Sequence, residues 1–277
     1  MCGAGTATSI VCCLVVCWLR YNRLHVGIRF LLSLLALRLA AQTPVNVAYQ
    51  CSPQDVETFG LYCTEDEPCA VFLELASAGA AGNRVFVAGN LHTRDTTLFS
   101  LLLASEDGGV TWTEPMARLR NAALEQIEFF DQQTGWISGE AVDPLARDPF
   151  FLLTSDGGKT WRQKPLFDDT KYGTIAQFHF DSLTNGELVL DASQGKATRQ
   201  ELYGTMTGGE SWECKADGMW AAYMPPEGKF DPRIQDPHRV VQCAANPDCF
   251  WAQHHNGVFR TTDRCESWRD STTDKRS

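Results

Sequence analysis

The chain has 277 residues, of which 44% are hydrophobic and 21% charged, as in an ordinary globular protein. Its formal net charge is −10, and because the first 41 residues contain four arginines and no acid, the remainder has 20 basic against 34 acidic residues. This acidic body argues against nucleic acid and against an anionic membrane surface as partners.

Residues 1–41 have the composition of a targeting segment. A basic run precedes a short apolar run, "FLLSLLAL" at 30–37, and the small residues Ala40 and Ala41 follow. This order is typical of a secretory signal that is cleaved before Gln42, with an uncleaved membrane anchor as the alternative. We therefore expect an apolar helix outside the fold and a secreted or periplasmic protein, which contacts a membrane only through this segment if it stays attached.

Seven cysteines follow the leader, and some lie close together in the sequence. Cys51, Cys63 and Cys69 form one group, and Cys243 and Cys249 form another. Their spacing permits disulfides in an oxidising compartment, and the odd number leaves at least one thiol free or paired with another chain. None of the spacings is typical of a zinc site, so the sequence predicts no metal and no cofactor.

One eight-residue phrase occurs four times along the body of the chain. We call these stretches boxes 1 to 4: "SEDGGVTW" at 105–112, "TSDGGKTW" at 154–161, "TMTGGESW" at 205–212 and "TTDRCESW" at 261–268. Their tryptophans are 49, 51 and 56 residues apart. A period near fifty residues indicates a repeat architecture.

Each box has the composition of a tight turn between two antiparallel strands. Asp and Gly tolerate the positive φ angles of such turns, the Asp carboxylate and the Ser/Thr hydroxyls can bind backbone N–H groups, and the Trp can anchor the turn to a neighbouring strand. We predict a structural role for these box residues: Ser105, Asp107, Gly109, Trp112, Thr154, Asp156, Gly158, Trp161, Gly209, Trp212, Asp263 and Trp268.

Two boxes depart from the phrase. In box 3, Thr207 replaces the Asp, so the turn loses its charged acceptor. In box 4, Arg264 and Cys265 replace both glycines, which makes a tight turn with positive φ less favourable there.

The stretches between the boxes also repeat. "IEFFDQQTGWISGE" at 127–140 and "AQFHFDSLTNGELVLD" at 176–191 each predict a strand, a turn with Asp, a Gly and a second strand. Four short strands per fifty residues is the pattern of a β-propeller blade. The sequence thus predicts an all-β propeller of four to five four-stranded antiparallel blades, either incomplete or closed by a strand from the N-terminal segment.

The predicted domain organisation has four parts. A leader at 1–41 precedes a Cys-containing segment at 42–72, the propeller occupies 73–268, and a polar tail occupies 269–277. We expect Trp112, Trp161 and Trp212 to lie at equivalent places on successive blades, because they close equivalent boxes.

The boxes resemble the Asp-boxes, or bacterial neuraminidase repeats, of sialidases, of the luminal domain of sortilin and of xyloglucan-cleaving hydrolases. The phrase formed by Phe130, Asp131, Gly135, Trp136 and Gly139 most resembles the photosystem II assembly and stability factor family and its bacterial relatives. The C-terminal quarter resembles bacterial proteins of the exo-sialidase-like or glycosyl hydrolase-like kind. The resemblance implies that the boxes lie on the outer rim, away from the central face where ligands bind.

One group of residues has the chemistry of a ligand site: Asp236, His238, Arg239, His254 and His255. The two adjacent histidines on a strand must point to opposite faces, so only one can join His238 at a shared site. Such a pair can bind a metal, an acidic sugar or a peptide carboxylate. The alternative is that all five are loop and turn residues that satisfy backbone groups.

The sequence predicts an exported, non-catalytic propeller scaffold that binds a protein or carbohydrate ligand on its central face. No catalytic residue is predicted, because the box aspartates form turns and the phrase that opens the sialidase family is absent. The alternative is an extracellular glycoside hydrolase of the sialidase-like or xyloglucanase-like type, which would need two carboxyl groups across a cleft.

Overall fold

The computed structural model describes residues 46–64, 66–142 and 145–272. The chain divides into two units, Met1–Ala41 and Gln42–Ser277. The predicted leader helix therefore lies outside the described residues, as does the end of the polar tail. Over the described ranges, no helix has both the length and the apolar character needed to cross a membrane.

A short helix, α1 (Pro53–Phe59), precedes the sheets. Ser52 caps it, since its hydroxyl accepts the Asp55 N–H while the Asp55 carboxylate accepts the Ser52 N–H at 2.8 Å. Gly60 ends it in the left-handed conformation, with φ of 60°. This reciprocal cap and the glycine stop define both ends of the helix, which the analysis of strand patterns did not predict.

In the described residues sixteen strands follow, and they form four sheets of four antiparallel strands. Within each sheet, the strands lie side by side in the order in which they occur in the chain. Sheet 1 contains β1 (Phe72–Ala81), β2 (Arg84–His92), β3 (Thr97–Ser105) and β4 (Leu119–Arg120); sheet 2 contains β5 (Ala122–Phe129), β6 (Gly135–Val142), β7 (Ala146–Thr154) and β8 (Arg162–Pro165). Sheet 3 contains β9 (Thr174–Phe180), β10 (Gly186–Asp191), β11 (Gln200–Thr205) and β12 (Glu213–Cys214); sheet 4 contains β13 (Pro237–Cys243), β14 (Asn246–His254), β15 (Gly257–Thr261) and β16 (Arg269–Asp270). The predicted all-β fold of four-stranded propeller blades is confirmed, and the described residues form four blades.

Every box connects the third and fourth strands of its sheet, and all four share one hydrogen bond. In each box the backbone N–H of the fifth residue donates to the hydroxyl oxygen of the first residue. The donor and acceptor pairs are Gly109 and Ser105 at 2.7 Å, Gly158 and Thr154 at 2.9 Å, Gly209 and Thr205 at 3.2 Å, and Cys265 and Thr261 at 3.2 Å.

The third residue of each box supplies the second set of bonds. In box 2 the Asp156 carboxylate accepts the N–H groups of Lys159 and Thr160, both at 3.0 Å, and the Thr160 hydroxyl at 2.7 Å. These bonds to the charged form hold the pKa of Asp156 down to about 2, with the Thr160 hydroxyl as the largest cause. In box 3 the Thr207 hydroxyl still accepts the Ser211 N–H at 2.9 Å, so a neutral oxygen preserves the turn.

Box 4 corrects one expectation. Arg264 and Cys265 adopt φ of 57° and 67°, so this box keeps the positive-φ turn without its glycines. The unfavourable conformation is compensated by contacts that glycine could not make. The Arg264 guanidinium pairs with Asp181 and, at 2.6 Å, with Asp248, while the Cys265 side chain is fully buried.

The blades pack through three apolar clusters, each shared by two consecutive sheets. The tryptophans of boxes 2 to 4 occupy these interfaces. Trp161 packs edge-on against Phe86 of sheet 1, and Trp212 stacks on Phe151 of sheet 2 at 5.4 Å between ring centroids. Trp268 is buried in the cluster between sheets 3 and 4. The predicted equivalence holds for Trp161 and Trp212, which pack against the preceding blade, whereas Trp112 packs with the N-terminal segment.

The two terminal sheets differ in how their outer faces are covered. The N-terminal segment covers sheet 1, where Val47, Tyr49 and Val71 pack around Leu91 and Leu101 beside Trp112. Over the described residues, sheet 4 takes all its strands from 237–270, so no strand of the N-terminal segment completes it.

The cysteines follow the predicted grouping in part. Cys63 and Cys69 form a disulfide with their Cα atoms 5.2 Å apart. Cys243 and Cys249 remain free thiols. The register of β13 and β14 shifts between Gln242 and Cys243, which pairs Cys243 with Asn246 and removes Cys249 from the opposite position. The disulfide that the spacing of Cys243 and Cys249 permitted is therefore absent, because this bulge separates the two residues.

We predict that Gly158→Ala lowers the free energy of unfolding by about 3 kcal/mol, as measured by urea denaturation. A Cβ at Gly158, where φ is 77°, would overlap the Phe86 ring of the neighbouring blade. Gly108→Ala is the matched control, because φ is 72° there and a Cβ would meet nothing within 4 Å. It should cost only about 1 kcal/mol of conformational strain. Equal losses in the two variants would contradict the account of the blade interface.

Candidate functional site

A cleft of about 1090 Å³ lies at the ends of sheets 3 and 4 that are opposite the boxes. Its walls come from the β8–β9 loop at 166–173, the β10–β11 loop at 192–199, the segment at 215–236 before β13, and the β14–β15 turn. Connections of this kind can vary without disturbing the strands. The cleft is therefore positioned by the blades and lined by side chains from four separate stretches of the chain.

Three of the five residues predicted as a ligand site meet at the rim of this cleft. Asp236, His238 and His255 each place one possible metal-ligand atom within 4.8 Å of the others. His255 Nε2 lies 3.1 Å from Asp236 Oδ2, and the rings of His238 and His255 are 4.3 Å apart in an edge-on arrangement. His238 Nδ1 lies 3.0 Å from the Thr198 carbonyl oxygen. The structure thus brings together the two histidines and the carboxylate.

The other two predicted residues do not join this group. His254 is 4% exposed and lies in the core, where its Nε2 accepts the backbone N–H of Asp236 at 3.1 Å. Burial lowers its pKa, which suits a neutral ring that accepts this bond. Arg239 is exposed on β13 and is absent from the cleft lining over the described residues. The adjacent histidines therefore differ in their surroundings, with His254 buried at the end of β14 and His255 exposed in the β14–β15 turn.

The segment before β13 holds Asp236 in place. Gln235 is 2% exposed, and its side-chain amide donates to the carbonyl oxygens of Lys229 at 3.1 Å and Asp231 at 3.0 Å. The short 3-10 helix Pro232–Ile234 lies within this loop. Together with the His254 bond, these contacts fix the backbone on both sides of the Asp236 side chain.

A second group of polar side chains forms the opposite wall. The Glu201 carboxylate accepts the Tyr203 hydroxyl at 2.5 Å, pairs with Arg199 at 3.0 Å and pairs with the Lys171 ammonium. Lys171 also donates to the Tyr203 hydroxyl oxygen at 2.7 Å. These residues span 32 positions of the sequence, and no local motif connects them. Sequence patterns therefore could not have identified this group.

Two exposed tyrosines flank the cleft. Tyr172 in the β8–β9 loop is 45% exposed and Tyr223 in the segment before β13 is 53% exposed. The Tyr223 hydroxyl donates to the Ile234 carbonyl at 2.9 Å, which orients its ring beside His255 at 6.1 Å between centroids. Large amphipathic rings that are held in place and face solvent are typical of ligand-contact surfaces.

The carboxyl groups with strongly raised pKa lie outside the cleft. Burial raises the pKa of Glu140 in β6 to about 8 and that of Glu187 in β10 to about 7, with the neighbouring Glu125 and Asp181 as respective further causes. Neither residue lines the cleft. A carboxyl group that stays protonated near neutral pH is what a glycosidase uses as its acid, and these two carboxyl groups lie away from the cleft lining.

We predict that Glu140→Gln raises the free energy of unfolding at pH 7 by about 2 kcal/mol. The folded pKa of about 8 exceeds the ordinary value of 4.5, so the folded carboxyl keeps a proton that the unfolded one releases. The wild-type protein should therefore lose stability as the pH rises from 4.5 to 8, and the Gln variant should lose less. Denaturant titrations across this range test the prediction, with the exposed Glu227→Gln as control. A pH dependence that Glu140→Gln leaves unchanged would contradict it.

Comparison with known proteins gives one significant match in sequence. The chain is 32% identical over 124 residues to the photosystem II assembly lipoprotein Ycf48 of Synechococcus sp. (strain CC9902), covering 41% of this chain and 30% of the lipoprotein. The chain thus spans less than a third of the length of this relative. No protein-family model matches the sequence.

The chain also matches solved structures at low sequence identity. A GH74 xyloglucanase from Xanthomonas campestris matches 70% of this chain and 29% of its own at 13% identity and a TM-score of 0.41. YCF48 from Cyanidioschyzon merolae matches 73% of this chain and 55% of its own at 17% identity and a TM-score of 0.38. The resemblance of this propeller to the photosystem II assembly factors, predicted from its repeated phrases, is confirmed by the match in sequence.

Proposed function

We propose that the chain is an exported, non-catalytic propeller scaffold that holds a protein or carbohydrate ligand in the cleft at the ends of sheets 3 and 4. The observation that carries this proposal is the character of the cleft lining. Several of its charged groups are paired with one another, among them Lys171 with Glu201 and Asp236 with His255, while Tyr172 and Tyr223 remain exposed. Such a surface offers polar and aromatic contacts to a ligand.

The internal pairing of the charges favours binding over chemistry. Glu201 is already engaged by Lys171, Arg199 and Tyr203, and Arg233 pairs with Asp231 at 2.9 Å. Side chains held in this way form a rigid polar surface, which lowers the entropy lost when a ligand binds. The similar lipoprotein is named as a photosystem II assembly protein, which favours a protein ligand.

Export is part of the proposal. The predicted leader at 1–41 supports it, as does the disulfide between Cys63 and Cys69, because disulfides persist in oxidising compartments. The similar protein is a lipoprotein by name, which also suits a location outside the cytoplasm.

The competing class is an extracellular glycoside hydrolase, and one observation favours considering it. Tyr203 and Glu201 form a Tyr–Glu pair, which is the combination that a sialidase-like enzyme would use as nucleophile and base. Burial is the main cause that raises the pKa of Tyr203, and the ring is only 6% exposed. A phenol in this setting resists ionisation, whereas an activated nucleophile needs the opposite. The pair therefore suits a structural role.

We predict that the purified chain hydrolyses neither sialosides nor β-glucans and binds members of a peptide or glycan array. Tyr223→Ala should weaken that binding at least about tenfold by biolayer interferometry, since truncating an aromatic side chain that contacts the ligand strongly costs about 2 kcal/mol. Asp156→Ala in box 2 is the control, because it lies at the opposite end of the sheets. It should lower the thermal midpoint and leave ligand preference unchanged.

Turnover that Asp236→Ala abolishes in a folded protein would overturn this proposal and promote the hydrolase. Binding that survives Tyr223→Ala unchanged would remove the cleft as the ligand site.

A further inference from the structure

We propose that Asp236, His238 and His255 form a binding site for a divalent transition-metal ion of the zinc type. Two imidazoles and one carboxylate are a common ligand set for zinc, and they leave a further coordination position open to water or to a ligand. The three residues come from the end of the segment before β13, from β13 itself and from the β14–β15 turn. The fold, and not a local sequence motif, therefore assembles the set.

The distances suit a site that closes around an ion. The three ligand atoms lie within 4.8 Å of one another, whereas ligands on a tetrahedral zinc at 2.0–2.2 Å are about 3.4 Å apart. Small side-chain rotations cover this difference. The Asp236 and His255 side chains are already 3.1 Å apart, so little movement is needed between those two.

The hydrogen bond of His238 prepares its ring for a metal. Its Nδ1 lies 3.0 Å from both the carbonyl oxygen and the hydroxyl oxygen of Thr198, so this nitrogen is already engaged by one residue. A proton on Nδ1 that is donated to the carbonyl oxygen leaves the lone pair of Nε2 for a metal. A histidine ligand whose other nitrogen donates to a backbone carbonyl is the usual arrangement in metal sites, because that bond sets both tautomer and orientation.

The backbone beneath the carboxylate is also held. The Asp236 N–H donates to the buried His254 ring at 3.1 Å, and Gln235 is anchored to two carbonyl groups beside it. His254 thus acts as a positioning residue and not as a ligand.

The test measures zinc transfer from a chromophoric chelator to the purified full chain whose accessible thiols have been alkylated, at pH 7.5. We expect uptake of about one zinc per chain, and at least about tenfold weaker binding in His238→Ala, His255→Ala and Asp236→Asn. His179→Ala is the matched control, because His179 is an exposed histidine beside the carboxylates of Glu128 and Asp181 outside the cleft. Its zinc affinity should equal that of the wild type.

Cobalt(II) provides the second readout. Ligation by nitrogen and oxygen gives visible bands that His255→Ala should alter, and since 53% of the His255 side chain is exposed, this variant keeps the packing of the core. Three outcomes would each overturn the proposal. They are no zinc uptake by the wild type, uptake by the His238→Ala and His255→Ala variants equal to that of the wild type, and a thiolate charge-transfer band in place of the visible bands. Array binding measured with and without EDTA separates this result from the scaffold proposal, because ligand binding that persists in EDTA leaves the scaffold intact.

Discussion

The docking of boxes 2 to 4 against the preceding blade is the interaction on which the rest of the structure depends. Gly158 of box 2 lies against Phe86 of sheet 1, and Trp136 of sheet 2 donates to the Gly208 carbonyl of box 3 at 2.9 Å. Box 4 reaches back in the same way, through the Trp268 indole, which donates to the Lys215 carbonyl at 2.9 Å. A blade exposes an apolar face when it is alone, and these contacts bury that face against its neighbour.

This arrangement places the boxes and the proposed ligand cleft at opposite ends of the sheets. The boxes occupy one end, where backbone and rings approach closely. The cleft occupies the other end, where the connections at 166–173, 192–199 and 215–236 lie. Loops can therefore acquire the polar groups and tyrosines of a ligand site without disturbing the blade interfaces. The proposed metal site belongs to this second end, at the rim of the cleft.

The sequence predicted the fold well because the boxes are local turn signals that recur with a fixed period. It failed where distant partners decide the outcome. Arg264 and Cys265 adopt positive φ because contacts of their side chains compensate the strain: Arg264 pairs with Asp181, and Cys265 packs in the core between sheets 3 and 4. The prediction that only one of His254 and His255 can join His238 is correct, because His254 is buried in the core. By contrast, the wall around Lys171 and Glu201 is assembled from separate loops, so no spacing in the sequence could have revealed it.

Hydrogen–deuterium exchange of the full chain, with and without a ligand selected on the arrays, tests the central claim most directly. We expect slower exchange in the cleft segments 166–173, 192–199 and 215–236, with the box turns at 105–112 and 154–161 unchanged, because the ligand covers the cleft alone. Protection of the box turns while the three cleft segments exchange as before would contradict it.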